Sequence, residues 1–451
     1  MALTSTEQYL HIAVPAGVYN ELYVTLYDTE GGVMYATVKA NDDKPLTAGK
    51  VRQFTNAINY TPSESIFVIK DYASLKEFAK QIGTLTKDAV FVADVDVPAD
   101  EPWVSIYDSL YTHTVRGNGY ANKGLTKPLF DTTAANFKGL HLKDVKIVET
   151  KNPTIGALAR YVKSLTAVVE NCSAVGSITI NATEVPVPET PSSVNSWAGG
   201  LIGRSATLGA MTGLYTDVDI YADGHIPTKF AIGGCVGSTD GAITNSTNLG
   251  TLTYNCTEAT NSCTVYIGGV CMECVGMENC VNGSKDDATG ATGAITLSGI
   301  VGGAGAIGGI ADMTMGVVTN CHNYGCITAS ATSYGNKNLF IGGIVRMSND
   351  HTSVYTKCTN HGDILISRLN DEKLYYKIGG IISKDNYGCE FNSCNNYGDI
   401  TVDSAVKAYR AFAGGFTSSL ETTVNACKFT FNNCNNYGKS ISVEPTHRIA
   451  I

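Results

Sequence analysis

Seven times between Ala198 and Val443 the chain writes one phrase: an apolar residue, Gly-Gly, a second apolar stretch, then a Cys-centred Asn/Gly turn running into alternating hydrophobics. The first half reads Ala198-Gly199-Gly200-Leu201, Ile232-Gly233-Gly234-Cys235, Ile267-Gly268-Gly269-Val270, Ile307-Gly308-Gly309-Ile310, Ile341-Gly342-Gly343-Ile344, Ile378-Gly379-Gly380-Ile381 and Ala413-Gly414-Gly415-Phe416. Copies lie about 34 to about 40 residues apart, a period that signals stacked repeats. The second half reads Asn320-Cys321-His322-Asn323-Tyr324-Gly325, Cys358-Thr359-Asn360-His361-Gly362, Cys394-Asn395-Asn396-Tyr397-Gly398 and Cys434-Asn435-Asn436-Tyr437-Gly438, with Asn171-Cys172, Asn245-Ser246 and Asn279-Cys280 in the same place. Segments such as Ile364-Leu365-Ile366 and Ile400-Thr401-Val402 follow each turn with the period of half-buried strands.

Each repeat thus holds about three short strands and no helix. Such a unit cannot bury its own apolar face, whereas copies stacked in register share a continuous core and pair every backbone edge with the next coil. The expected fold is all-β: a right-handed parallel β-helix. At about 4.8 Å per rung, eight to ten coils make a stack about 40–50 Å long. Composition agrees, since only 16% of the 451 residues are charged while Gly reaches 47 and Tyr 24, which favours strand and turn.

The ends read differently. Residues 1–62 hold four strand candidates, in Tyr9 to Gly17, Leu22 to Tyr27, Met34 to Val38 and Val51 to Ile58, with Gly31-Gly32 as a hairpin turn, and suggest a small β-sandwich or half of one. Residues 63–88 supply a linker and one amphipathic helix over 74–83, with Ser74 and Glu77 as its capping box and Gly83 at its end. That helix suits the open end of the stack in residues 89–451, because uncovered edge strands invite aggregation.

Net charge is −9 with no basic stripe, so nucleic acid is excluded as the expected partner. No apolar run approaches the roughly 20 residues of a membrane span, and Met1 to Glu7 has neither a basic region nor an apolar core of an export signal. Fourteen cysteines fall largely one per coil at one phase, as stacked buried hydrophobes or, between neighbouring coils, as a disulfide.

On these residues the chain resembles known proteins. The glycine phrase, the Asn-Cys turn and Arg116-Gly117-Asn118-Gly119 are similar to the GLUG-type repeats of bacterial surface β-helix proteins. Ile12 to Tyr19 and Leu46 to Val51 resemble fimbrillin-like β-sandwich domains of outer-membrane-anchored adhesins. The resemblance implies an exported, adhesin-like protein at the cell surface, lipid-anchored through its precursor, and carries no catalytic residues.

Stacking turns equal motif positions into columns. Asp312 and Arg346 become neighbours in one column, as a surface ion pair or as an acid/base or substrate clamp. Tyr324, His361, Tyr397 and Tyr437 form an aromatic stripe that suits a glycan or protein ligand, or that stacks on itself to guard the turn. Asp363 and Asp399 repel one another unless Lys439 relieves them, a proton is retained, or Ca²⁺ sits between; no other cofactor is expected. Asn323, Asn360, Asn396 and Asn436 form an amide column closing each turn. Cys271-Met272-Glu273-Cys274 has the look of a zinc site, but in an alternating strand the two thiols point to opposite faces. The sequence therefore points to a non-catalytic adhesin-like protein binding a glycan or surface protein; a polysaccharide lyase or glycoside hydrolase on the same scaffold, and a structural spacer, are the alternatives.

Overall fold

The computed structural model describes residues 21–27, 33–39 and 66–442, apart from 182–194, 225, 227–228, 257–263, 302–303, 331, 334–337, 349–352, 368–374, 386–387, 404–409, 421–429 and 439–440. The chain divides into two compact units, Met1–Val68 and Ile69–Ile451. In the first, Glu21–Tyr27 and Val33–Lys39 pair antiparallel, Glu21 opposite Lys39 and Tyr27 opposite Val33. The Gly31-Gly32 turn and the strand candidates at 9–17 and 51–58 lie outside the described residues.

The second unit is a parallel β-helix. Early coils carry three strands, as in Phe130–Thr133, Asn136–Lys138 and His141–Glu149. Later coils carry five, more than the three expected: Asn338–Gly342, Val345–Ser348, Val354–Thr356, Thr359–Asn360 and Ile364–Ile366 make one complete turn. Each strand pairs in parallel with its counterpart one coil on, so that Ile341 lies against Ile378, Val345 against Ile382, Tyr355 against Phe391, Asn360 against Asn396 and Ile364 against Ile400. We call the sheets first to fourth in that order; the last two strands of a coil both belong to the fourth. Among the described residues the first sheet has seven strands, from Asn195–Gly199 to Arg410–Gly414, and the second has ten. Ile155 bridges Ala198 in parallel, which places Ile155-Gly156 in register with Ala198-Gly199 as a worn copy of the glycine phrase.

The glycine pair turns the corner between the first and second sheets, and steric crowding dictates both residues. A Cβ on Gly342 would lie 1.9 Å from the Val345 carbonyl oxygen, and one on Gly343 would lie 2.1 Å from the Gly380 oxygen and 2.5 Å from Asn360 Cγ. From Gly234 to Gly415 the second glycine of the pair thus leaves room for an asparagine, while Gly200 faces Thr216. Asn248, Asn282, Asn323, Asn360, Asn396 and Asn436 form one ladder whose Nδ2 groups each donate to the next Oδ1 at 2.8–2.9 Å. The same Nδ2 of Asn323, Asn360 and Asn396 also donates to the carbonyl of the turn glycine two residues on, at 2.9–3.0 Å. The amide column expected at Asn323, Asn360, Asn396 and Asn436 is therefore present and extends two coils further back.

A second corner, between the third and fourth sheets, needs a left-handed residue. Asn245, Asn279, Asn320, Lys357, Ser393 and Asn433 occupy it at φ 51–54°, a conformation that asparagine tolerates and lysine does not favour. The residue that follows points inward: Cys280, Cys321, Cys358 and Cys394 are buried free thiols. Their sulfurs donate to backbone, Cys358 to the Val318 carbonyl and Cys394 to that of Tyr355, both at 3.4 Å. Burial pushes the Cys172 thiol of this column up to about 12, which removes the thiolate needed for reaction.

The helix spans Tyr72–Gln81, two residues earlier than its expected start, because Asp71 rather than Ser74 is the N-cap. Asp71 Oδ1 accepts the Ser74 N–H at 2.8 Å and Ser74 Oγ answers the Asp71 N–H at 3.0 Å, a reciprocal cap that needs no Glu77. Gly83 falls in the short 3-10 turn Ile82–Thr84 that follows. Leu75 and Phe78 are buried, Phe78 with its ring edge against Tyr111 at 5.8 Å.

Two substitutions test the corners. Gly343→Ala drives a methyl into the Asn360 amide and the next coil, and its urea midpoint should report a loss above about 2 kcal/mol. Lys357→Gly should instead raise stability by about 1 kcal/mol, because glycine adopts the left-handed corner without penalty.

Candidate functional site

The amide turns of the fourth sheet place four aromatic side chains in a row. Tyr324 stacks on His361 at 4.7 Å between centroids, His361 on Tyr397 at 4.6 Å and Tyr397 on Tyr437 at 4.9 Å, all within 16° of parallel. Both faces of His361 and of Tyr397 are consumed by neighbouring rings, so these residues present edges outward. Burial in the stack lowers the pKa of His361, with His322 and Lys285 adding to the effect.

At the Tyr324 end the repeat is broken. Elsewhere Asn-X-Gly closes the turn, but the Nδ2 of Asn282 donates to the carbonyl of Gly293 at 2.8 Å, across a long inserted loop. Asp287 organises this loop: Oδ1 accepts from the N–H and Oγ1 of Thr289 at 3.0 and 2.5 Å, and Oδ2 from the N–H and Oγ1 of Thr292 at 2.7 and 3.0 Å. These bonds hold the Asp287 carboxyl well below the usual carboxylate range. The loop walls a cavity of about 380 Å³ lined by Lys285, Asp287, Thr289, Tyr324, Cys326, His361 and Asp363, within the size range of small-ligand sites.

Three residues expected from the sequence therefore meet here: Tyr324, His361 and Asp363. Tyr397 and Tyr437 continue the row of rings away from the cavity. Asp399 is placed by its own backbone, whose N–H donates to Asp363 Oδ1 at 2.8 Å; Asp363 thus meets an amide of its neighbour, and Lys439 lies outside the described residues. Among the described residues no group of three or more His, Cys, Asp or Glu side chains could hold a metal ion. Lys285, Asp287 and Thr289 were missed because they stand outside the repeat; the stretched interval from Asn282 to Gly293 is the signal that marks them.

Asp312 and Arg346 are neighbours as expected, but not on the surface. Asp312 is fully buried and Arg346 is 7% exposed, and the guanidinium is bidentate: Nε to Oδ1 at 3.0 Å and Nη2 to Oδ2 at 2.6 Å. The reason is the shape of the glycine corner, which turns the outer face of the second sheet onto the outer face of the first. A Cβ on Gly237 would lie 2.9 Å from Trp197 Cβ, and at the same position further along Asp312 and Arg346 fill the angle. Arg346 reaches over the Tyr266 ring at 5.7 Å, and Arg204 over Trp197 at 5.8 Å while pairing with Asp240 at 2.6 Å. The crowded corner also explains the Cys271 to Cys274 strand, where alternation fails: Cys271, Met272 and Cys274 are all buried, and the Cys271 thiol donates to the Glu273 carbonyl at 3.1 Å. Burial raises the pKa of the Glu273 carboxyl against the pull of Arg204.

No protein family and no curated protein matches the sequence. Among solved structures the chain is similar to a protein of Bacteroides ovatus proposed to be an immunoglobulin A1 protease, with 10% identity, a TM-score of 0.38, and coverage of 82% of this chain and 83% of that one. It is also similar to an IgA1 protease, with 14% identity, a TM-score of 0.37 and coverage of 91% of this chain; there the chain spans a quarter of the other protein's length, 25%.

Two outcomes check the electrostatics. Because folding depresses the His361 pKa, the unfolded chain binds the proton more readily; stability is full above the unfolded value of about 6.5 and falls as pH drops through it. Urea midpoints at pH 8 and 5.5 should show this loss, and His361→Tyr, which continues the row of rings, should reduce it. Asp312→Asn leaves a buried guanidinium without its charge partner and should cost about 3–5 kcal/mol in the same assay.

Proposed function

We propose that the protein is a non-catalytic, adhesin-like binding protein acting at the cell surface or outside the cell, and that it takes a glycan in the cavity walled by the inserted loop. The lining of that cavity carries the reading. Hydroxyl-rich ligands need planar and hydrogen-bonding groups converging on a small volume, and Tyr324, His361, Lys285, Thr289 and Asp363 converge on about 380 Å³. The loop is preorganised by the four bonds to Asp287, so little order is lost on binding.

Binding is favoured over hydrolysis by the state of the carboxylates. Glycoside hydrolysis asks for two carboxyl groups facing one bond. In the concave corner both oxygens of Asp312 are held by Arg346, and in the cavity Asp287 is spent on its own loop. No helix among the described residues is long and apolar enough to cross a membrane; the surface location rests on the resemblance of the repeats.

The test is a glycan array followed by calorimetry on the best ligand. Lys285→Ala should lower affinity about tenfold, the effect of losing one charge-assisted hydrogen bond, while Tyr437→Ala, at the far end of the stack, should leave it unchanged. A parent protein that binds no glycan would overturn the reading in favour of the spacer.

A further inference from the structure

A line of hydrogen bonds runs from the left-handed corner to the cavity, and the groups at its far end fix the direction of every bond. The Nδ2 of Asn320 donates to Asn279 Oδ1 at 2.8 Å, and that of Asn279 donates to Asn245 Oδ1 at 3.0 Å. This leaves the Asn320 Oδ1 for His322, whose Nε2 lies 3.1 Å away. A carbonyl oxygen only accepts, so Nε2 of His322 carries the hydrogen. In the neutral ring Nδ1 is then an acceptor, and it takes the hydroxyl hydrogen of Thr359 at 2.6 Å. With that hydrogen committed, Thr359 Oγ1 accepts from Nε2 of His361 at 3.0 Å. Nδ1 of His361 is left a bare acceptor, without a hydrogen-bond partner among the described residues.

His361 lines the cavity. Tyr324 and Tyr397 cover its two faces and Thr359 holds its Nε2, so the edge it offers a ligand carries Nδ1. We propose that this nitrogen selects the ligand: it accepts a hydrogen bond from a sugar hydroxyl, and the first proton taken up by the pair of histidines turns it into a donor and releases that hydroxyl. Burial lowers the pKa of both rings; Lys285 adds to the effect on each, His322 adds to it on His361, and the Cys358 thiol opposes it on His322. The remaining titratable groups about the pair are Tyr324, Tyr397, Asp287 and Asp363. Both rings are therefore neutral at pH 7, and the acceptor is in place. A proton that enters at Nδ1 of His361 has two resting states. Either it stays there, or the Nε2 hydrogen passes to Thr359 Oγ1 and the hydroxyl hydrogen passes to Nδ1 of His322, which then holds the charge. Nδ1 of His361 bears a hydrogen in both, so the acceptor is lost whichever ring is the cation, and the two histidines titrate as one unit.

This inference rests on the reading of the cavity as a glycan site, and the experiment separates the two. NMR of the full chain with labelled histidine ring nitrogens should find the hydrogen on Nε2 of both His322 and His361 at pH 8. An array of neutral oligosaccharides, read at pH 8 and pH 5, should show affinity falling about tenfold in acid, the loss of one hydrogen bond. Asn320→Asp, at the far end of the line, stabilises the His322 cation and should move the midpoint of that fall up by about one pH unit; the corner already accepts an aspartate, since Asp144 adopts φ 53°. The same substitution in a Thr359→Val background should leave the midpoint in place, while Thr359→Ser, which keeps the hydroxyl, should restore the parent's response. A hydrogen on Nδ1 of His361 at pH 8, or a midpoint indifferent to Asn320→Asp, would overturn the relay. Binding equal at pH 8 and pH 5 would overturn the selection by His361 and leave the glycan reading standing. No binding at either pH, with the expected tautomers, would overturn the glycan reading and the selection with it.

Discussion

One chain of side-chain amides sets the geometry of the solenoid. From Asn248 to Asn436 each Nδ2 donates along the axis to the next Oδ1, and where the turn is short it also donates sideways to the turn glycine. Each bond contributes only about 1 kcal/mol net, but a buried amide that loses a partner costs more, and bonds in a chain polarise one another. The ladder therefore resists slippage of any single coil. It also explains the most conspicuous letters of the sequence, because from Gly234 onward the second glycine of the pair vacates the volume that the amide fills. Neither the Gly-Gly corner nor the asparagine turn is sufficient alone.

With the register fixed, what stands in a column depends on spacing alone. Aromatic residues on consecutive rungs, from Tyr324 to Tyr437, satisfy each other and are spent on cohesion. On the first sheet Trp197 and Tyr266, two rungs apart, meet the guanidinium groups of Arg204 and Arg346 instead, and Phe340 and Phe412 are joined edge-on through Tyr375. The same logic separates the acids. Asp363 lies against a backbone amide of its neighbour, Asp312 is neutralised within the corner by Arg346, and burial raises the pKa of Glu273. Recognition in such a scaffold is concentrated where the repeat departs from its own rule.

The fold was legible because stacking converts periodicity into structure without long-range guesswork. Gly-Gly, Asn and the buried cysteine recur in phase, and each phase maps to one corner or one inward position. Strand number was less legible: Thr359–Asn360 and Ile364–Ile366 are separate strands of one sheet, which the alternation read as a turn and a strand. The helix start was displaced because Asp71 and Ser74 cap each other, a pairing that competes with the Ser74 and Glu77 spacing. For the candidate site, Tyr324, His361 and Asp363 could be named, but the loop that encloses them could not, since nine inserted residues have no counterpart in other coils.

By itself the sequence determined the parallel stack, the glycine and amide corners and the positions that recur in phase from Tyr324 onward, because these follow from local sterics repeated at a fixed period. Only the tertiary structure decided which columns face a concavity. Whether Asp312 and Arg346 meet on open surface or in a buried angle depends on how sharply the second sheet folds back on the first, which the order of letters in the repeat does not state. The cavity is tertiary for the same reason: Asp287 closes its loop upon itself, and only the stacking of neighbouring coils brings Lys285 beside His361.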